Sequence, residues 1–452
     1  MKTLFITIYD GAISKNVLRT DIFALLRKEY RIILFVPASK REYYDATFGG
    51  EAVKVESVPP PKHPIFEAKF QALALDLFHT ESVRIKIAYR YAIDGKKSRY
   101  LLKMILWHLG RFSFVHRILR RIYQTVPDRS FDRYFVQYTP SIVFVPNMMS
   151  NDDYRMLKSA RRFGVKSIGM PKSWDNLTTK TFFNVFPDRI IVQNRVMREA
   201  AIRLFGFDAS RISVAGHPAF DVYASSEVGM SREEFCADLG LDASRKIILY
   251  AAAGDALAPR DEEVLDELIN AIETTPGLQG AQLLVRPHPK YVFDPSRIRT
   301  RPFVRIDHPG IKLTKKNASW EFEAADILHL RDSLRHMDVL ISTASTLNLE
   351  GAIFDRPLIS IGFDGRRQLS PELSTYRYYR YEHLQPLVES SGMPVAKSFA
   401  ELKVMVEDAL RDPSLLRAGR RRIVRDLVGD VDGGAGSRVA SEIIAYEHEQ
   451  RS

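Results

Sequence analysis

The stretch DVLISTASTLNLEGAIFDRPLISIG, residues 338–362, contains two apolar runs of strand length, VLI and PLISI, with a polar segment between them. Four hydroxyl residues, Ser342, Thr343, Ser345 and Thr346, followed by the carboxylate of Glu350, occupy that segment. Short continuous apolar runs joined by a helix-length connection mark strands buried on both faces of a parallel sheet. A helix starting near Thr346 completes a β-α-β unit, and the polarity falls where its first strand ends.

The same unit recurs on both sides. TLFITIY (3–9), a helical pattern over 17–29 and RIILFVPA form the first. SIVFVPN (141–147), a helix over 152–162 and GVKSIGMP form another. DRIIVQN (188–194) leads through a helix at 195–205 to RISVAG (211–216). A second series opens with KIILYAAAGD (246–255), continues through a helix at 261–273 to AQLLVRPHP (281–289), and includes the opening stretch. The fold class is therefore α/β, with two Rossmann-like parallel-sheet domains. The boundary is placed near residue 225, giving domains of 1–224 and 225–452. The tail AGRRRIVRDLVGDVDGGAGSRVASEIIAYEHE reads as helix, glycine-rich break, helix.

In parallel α/β sheets ligands bind beyond the carboxyl ends of the strands, so residues just after strands are the candidate site. Free N–H groups of a helix start, with Ser342, Thr343, Ser345 and Thr346, make a phosphate cradle, and an ordinary Ser/Thr cap is the alternative. Glu350, one turn on from Thr346, can accept from the two hydroxyls of a ribose. The prolines of RPHP present Arg286 and His288 at a strand end, where both can meet a diphosphate. Gly254 permits close backbone approach and Asp255 touches sugar or acceptor, unless GDALAPRD is a plain strand-to-helix loop. In the first half, MPKSWDNLTTK (170–180) joins Lys172, Trp174, Asp175 and Asn176. The indole either stacks on a sugar or anchors the loop, and Asp175 either removes an acceptor proton or caps a helix. Asp10, after the first strand, is an acceptor contact or a helix start. His217 of GHPAFD is given a structural or donor-edge role at the junction, with catalysis as the alternative.

Composition narrows the setting. The 452-residue chain carries a formal charge of +11 and one cysteine, Cys236, which excludes an intrachain disulfide and a multi-Cys zinc site. The segment 81–125 holds eleven Lys or Arg against two acidic residues, most of the excess. Within it, KKSRYLLKMILWHLGRFSFVHRILRRIY (96–123) interleaves aliphatic bulk with cations. It is read as an amphipathic insertion on an anionic membrane surface, with Trp107 at interfacial depth, the alternative being a solvated basic face. Nucleic acid is not expected, because no binding module is present. MKTLFITIYDGAISK reads as a strand and its loop, so the expected location is cytoplasmic, peripheral on the inner membrane face.

Two α/β halves, the GHPAFD junction, RPHP and STASTLNLEGAIFDRP together resemble glycosyltransferases of the GT-B fold. In pattern the chain is similar to bacterial surface-polysaccharide enzymes and CDP-glycerol glycerophosphotransferases. PDRIIVQNRVMREAAIRLFGFDASRISVAGHPAFD is also similar to UDP-N-acetylglucosamine 2-epimerases. The resemblance implies two domains facing a central cleft, with an acceptor half (1–224) and a nucleotide-sugar donor half (225–452). It implies donor contacts from Gly254, Asp255, Arg286, His288, Ser342, Thr343, Ser345, Thr346 and Glu350, and acceptor contacts from Asp10, Lys172, Trp174 and Asn176. Asp175 and His288 would be catalytic, with no metal or cofactor. The expected activity is sugar transfer to a hydroxyl of a glycan or lipid-linked acceptor. An epimerase or hydrolase, a polyol-phosphate transferase and a non-catalytic binder are the alternatives.

Overall fold

The computed structural model describes residues 1–180, 183–224, 229–254, 257–258, 260–291, 293–313 and 320–449. The chain forms two units, Met1–Asp221 with Asp432–Ser452, and Val222–Val431.

The first unit is built on seven strands: β1 (Lys2–Thr7), β2 (Tyr30–Val36), β3 (Val53–Ser57), β4 (Ile142–Val145), β5 (Lys166–Gly169), β6 (Arg189–Val192) and β7 (Ile212–Val214). They lie in the order β3-β2-β1-β4-β5-β6-β7, every pair parallel. One face packs Ile6, Ile32, Leu34 and Phe144 against flanking helices. On the other, Phe5 meets Phe35 and Phe135 edge-to-face at 5.0 and 5.1 Å, a geometry that adds to simple area burial. The helix expected over 17–29 is two helices, Gly11–Val17 and Asp21–Glu29.

The second unit holds β8 (Ile247–Ala252), β9 (Gln282–Pro287), β10 (Val304–Ile306), the ribbon strands β11 (Ile311–Lys312) and β12 (Trp320–Glu321), then β13 (Val339–Ser342), β14 (Leu358–Ile361) and β15 (Val395–Ala396). Its parallel sheet runs β10-β9-β8-β13-β14-β15. VLI and PLISI of the opening stretch are neighbours here, with Leu340 opposite Leu358 and Ile341 opposite Ile359.

The tail corrects the sequence reading of the domain limits. Its last helix, Ala435–His448, buries Val439, Ala440 and Ile443 in the core of the first unit. The Asp221 carboxylate accepts from the amides of Ala435 (3.0 Å) and Gly436 (2.7 Å), closing that unit across its own interruption. A side chain at Gly436 would meet the backbone and Cβ of Asp21 at 3.1–3.2 Å, which explains a glycine at this start.

The basic segment is also not one helix. It comprises Glu81–Asp94, Lys97–Leu109 and Ser113–Thr125, preceded by Pro64–Asp76. The break falls at Gly110, where a Cβ would lie 1.8 Å from the Leu77 carbonyl oxygen, closer than any side chain permits. Trp107 does not face outward as expected. Its indole N–H donates to Thr80 O (2.9 Å) and its ring packs on His79, so its polar edge is spent inside the protein.

Behind β1, Asp153 is fully buried and accepts from the Thr7 (2.7 Å) and Ser150 (2.8 Å) hydroxyls. Burial pushes its carboxyl up to about 7, against those two hydrogen bonds. A carboxyl raised on folding stabilises most below its unfolded value and loses that contribution as pH rises through the folded one. Asp153→Asn, which keeps one acceptor and one donor, should therefore melt higher than the parent at pH 8. The difference should vanish by about pH 4, near the unfolded value. Melting curves at both pH values read this directly.

Candidate functional site

Strand order in the second sheet changes direction between β8 and β13, so the connections leaving their carboxyl ends diverge to opposite faces and open a crevice. The connections after β8, β9 and β13 are the three singled out in the sequence.

After β8 the chain turns at Gly254, with φ +74°, a conformation that favours glycine. The Ala253 and Gly254 amides donate to Asp261 Oδ2 (2.6 and 3.0 Å), and the Tyr250 hydroxyl donates to Oδ1 (2.8 Å). Burial pushes the Asp261 carboxyl up to about 7, against those three donors. Gly254 thus shapes the loop through Asp261; Asp255 lies outside the described residues.

After β9, Arg286 does not point alone into the crevice. It is buried and ion-paired with Asp307, which follows β10, and the other oxygen of Asp307 meets His329 Nε2 at 3.1 Å. Burial pushes the Asp307 carboxyl up, but the His329 hydrogen bond and the Arg286 charge outweigh it and hold it down at about 2. His288 accepts the Lys290 backbone N–H at Nδ1 (3.0 Å), which leaves the proton on Nε2, and its ring lies 4.7 Å from that of Tyr291. Burial and the Lys290 charge draw its pKa down to about 4. His288 is therefore a neutral hydrogen-bond donor near pH 7 and not a second cation beside Arg286.

After β13 the hydroxyls divide in role. Ser342 is fully buried and its hydroxyl donates to Asn348 Oδ1 (3.1 Å), so it fastens the turn rather than facing a ligand. Thr343 is buried too. Ser345 Oγ accepts the Leu347 amide (3.2 Å), which leaves its own proton available to a ligand oxygen. Thr346 caps the helix Leu347–Ile353 by position, without a side-chain cap bond. Ala344 sits at φ +45°, unusual for a residue with a Cβ; its N–H donates to the Tyr379 hydroxyl (3.2 Å), which donates to Ile361 O (2.7 Å).

Glu350, buried on that helix, accepts from the Tyr223 hydroxyl. Burial, then the Glu350 charge, push the Tyr223 phenol well above its ordinary range, while the Arg286 charge draws it back. Tyr223 therefore lies within electrostatic reach of both Glu350 and Arg286. Tyr223, Asp307 and His329 were not found from the sequence. The signal for Asp307 was present, since VRID places a carboxylate after a short apolar run as RPHP places its arginine.

In the first unit, direction changes between β1 and β4. Asp10, after β1, accepts the Ile13 amide (3.1 Å) and pairs with Lys172 (2.9 Å), and Asn16 donates to Lys172 O (2.9 Å). Two of the expected acceptor residues are thus joined. Trp174 is buried, as an anchor would be, and Asp175 accepts from the Thr179 hydroxyl (3.1 Å). Asn176 is 2% exposed with its Nδ2 lacking a hydrogen-bond partner. The loop is gripped from the helical insertion: Thr80 donates to Thr178 O (3.0 Å), Lys86 to Thr179 O, and Arg120 to Phe183 O (2.9 Å). His217 stacks on Phe220 at 4.6 Å, a structural contact.

Among the described residues no group of three His, Cys, Asp or Glu side chains is arranged to hold a metal ion, and no helix is long and apolar enough to cross a membrane. The family model described as CDP-Glycerol:Poly(glycerophosphate) glycerophosphotransferase matches residues 161–445. No curated protein matches the chain. Among solved structures, the UDP-GlcNAc 2-epimerase from Methanocaldococcus jannaschii is similar with a TM-score of 0.53 at 12% identity, over 98% of this chain and 99% of that one. The UDP-GlcNAc 2-epimerase from Neisseria meningitidis bound to UDP-GlcNAc gives 0.52 at 10% identity, over 98% and 100%. CalG4, the calicheamicin glycosyltransferase, gives 0.54 at 12%, over 99% and 98%. At such identities the likeness is one of fold, and that fold is the GT-B type.

Proposed function

Because the chain belongs to the CDP-glycerol:poly(glycerophosphate) glycerophosphotransferase family, we propose that this transferase moves a polyol phosphate from a cytidine diphosphate-linked donor to a hydroxyl of a lipid-linked acceptor. The observation that carries the reading is the Tyr223–Glu350 pair in electrostatic reach of Arg286, beside the β8/β13 crossover. A fixed carboxylate suits the two hydroxyls of a ribose, and a guanidinium the adjoining phosphates. Ser345 and the neutral Nε2–H of His288 add donors for phosphate oxygens.

In this reading an acceptor oxygen attacks the outer phosphorus of the donor. The bond from that phosphorus to the bridging oxygen breaks, CMP departs with the electron pair, and the acceptor proton passes to a carboxylate. Asp175 is the proposed base, with Asp10, Lys172, Trp174 and Asn176 as acceptor contacts. Sugar transfer is the second reading, favoured by the fold shared with a structure bound to UDP-GlcNAc. The acceptor's lipid places the work at a membrane, the proposed location being its inner face. Leu101, Leu102, Ile105, Phe114, Ile118 and Ile122, each at least 47% exposed, suit that surface.

The test is to supply CDP-glycerol or UDP-GlcNAc with a lipid-linked acceptor and identify the released nucleotide. CMP supports the first reading and UDP accompanied by sugar transfer the second; no release from either rejects both. Asp175→Asn is expected to lower kcat by about 10²- to 10⁴-fold with little change in KM, as for loss of a general base. Unchanged kcat would remove Asp175 from that role.

A further inference from the structure

Outside the two crevices, the first unit has a pocket of 520 Å³ where the helix Ser113–Thr125 ends. Gln124 and Thr125 form one rim, and Arg129, Lys158, Arg161 and Arg162 supply four cations. Arg162 is offset by Asp132. Arg129 and Arg161 are exposed, and among the described residues neither guanidinium has a hydrogen-bonded carboxylate. Lys158 is 9% exposed and its ammonium is held by neutral groups, the carbonyls of Tyr123 (2.7 Å) and Val126 (3.0 Å). Burial, the larger cause, draws its pKa down to about 8, against the nearby Asp128 and Glu67 charges. The Asp128 carboxylate is buried and turned to Ser130. The pocket therefore carries positive charge that its own carboxylates leave largely uncompensated.

The same helix carries a second feature beside the pocket. Phe114, Ile118 and Ile122 are 51%, 51% and 47% exposed and recur every four residues, forming one apolar stripe that runs toward the pocket. Arg117 and Arg121, also exposed, flank the stripe one residue earlier. His116 and Tyr123 point the opposite way, into the protein. A free phosphate or a soluble phosphodiester polymer gives no use to an exposed apolar stripe. A bilayer uses both features at once: apolar side chains enter the acyl boundary while cations meet the phosphate layer above it.

We propose that the pocket formed by Arg129, Lys158, Arg161 and Arg162 seats the phosphate of an anionic phospholipid while the Phe114–Ile118–Ile122 stripe enters the same leaflet. The proposal rests on the membrane part of the reading above and adds to it a defined headgroup site. Lys158 then has two structural tasks. It closes the carbonyl end of the helix, and it places a positive charge at the floor of the pocket.

The test is co-sedimentation of the full chain at low salt with phosphatidylcholine vesicles, with and without about one third phosphatidylglycerol. The parent is expected to bind only the anionic vesicles. Each cation at such a surface is worth about fivefold, so Arg129→Glu with Arg161→Glu should weaken that binding at least about 25-fold. Both side chains are exposed, so the melting temperature should hold, and turnover with a water-soluble acceptor should be unchanged. Phe114→Ser with Ile118→Ser should lose vesicle binding while keeping both arginines. If the parent binds anionic vesicles and the double arginine variant binds them equally well, the headgroup site is wrong and the membrane reading stands. If the parent ignores both vesicles, both fail. If inorganic phosphate or soluble glycerophosphate polymer competes at low concentration and the serine variant still binds vesicles, the site takes a soluble phosphate and the proposal is overturned.

Discussion

Glu350→Ala should abolish the nucleotide-dependent rise in melting temperature, and a screen with CDP, CMP and UDP would show it. A carboxylate accepting from two ribose hydroxyls supplies about 1.5–3 kcal/mol per bond, so losing both costs at least about 3 kcal/mol, or more than 100-fold in affinity. At a ligand concentration of about 100 Kd the parent gains about 2.7 kcal/mol; a 100-fold weaker variant gains only about 0.4. The same substitution removes the acceptor of the Tyr223 hydroxyl, a loss of about 1–3 kcal/mol even without ligand. Tyr223→Phe separates the two effects. In that background Glu350→Ala should cost less stability yet still remove the nucleotide response. A Glu350→Ala protein that keeps the full response would show that the ribose is held elsewhere.

Asp307→Ala should be the most destabilising single change at the site, by about 3–5 kcal/mol, because it strands the Arg286 charge inside the second unit. Replacing both partners, Arg286→Met with Asp307→Leu, should recover most of that stability but not nucleotide binding. Urea titration beside the ligand screen separates these outcomes, and recovered stability with recovered binding would exclude Arg286 from the donor site. The pair also has an acid limit. Asp307 is held down at about 2 against an ordinary 3.8, so it stabilises above the unfolded value and loses that contribution as pH falls through the folded one. The shift corresponds to about 2.5 kcal/mol, lost between about pH 4 and pH 2. In the Met/Leu variant that part of the acid transition should disappear.

The two parallel sheets were legible because their central strands are buried on both faces and read as unbroken apolar runs, as in LFIT, IILFV, IVFV and LLV. β3 was missed because VKVES alternates and keeps Lys54 outside, and β10 because three residues carry too little signal. At the candidate site the residues that follow strands were readable, since position alone marks them. Their partners were not. Tyr223 lies 127 residues from Glu350, and Asp307 lies 21 from Arg286 and 22 from His329. No local pattern encodes such pairs; they arise when crossovers return the chain to one edge of a sheet. Trp107 shows the opposite error. Its composition suits an interface, but one hydrogen bond to Thr80 turns it inward.

The return of the last helix to the first unit bears on how this protein is made. Domains commonly fold in the order in which they leave the ribosome, at about 5–20 residues per second. Here the core around Ile6, Ile32 and Phe144 lacks Val439, Ala440 and Ile443 until all of the second unit has been translated. The whole of Val222–Val431 emerges in the meantime and has every residue of its own sheet. The part translated second can therefore be the first to reach its final structure. The earlier part waits, with an apolar groove open, for about 10 to 40 seconds at that rate. A nascent chain stopped before residue 432 should thus be the species that chaperones hold longest, and proteolysis of it should spare the second unit rather than the first.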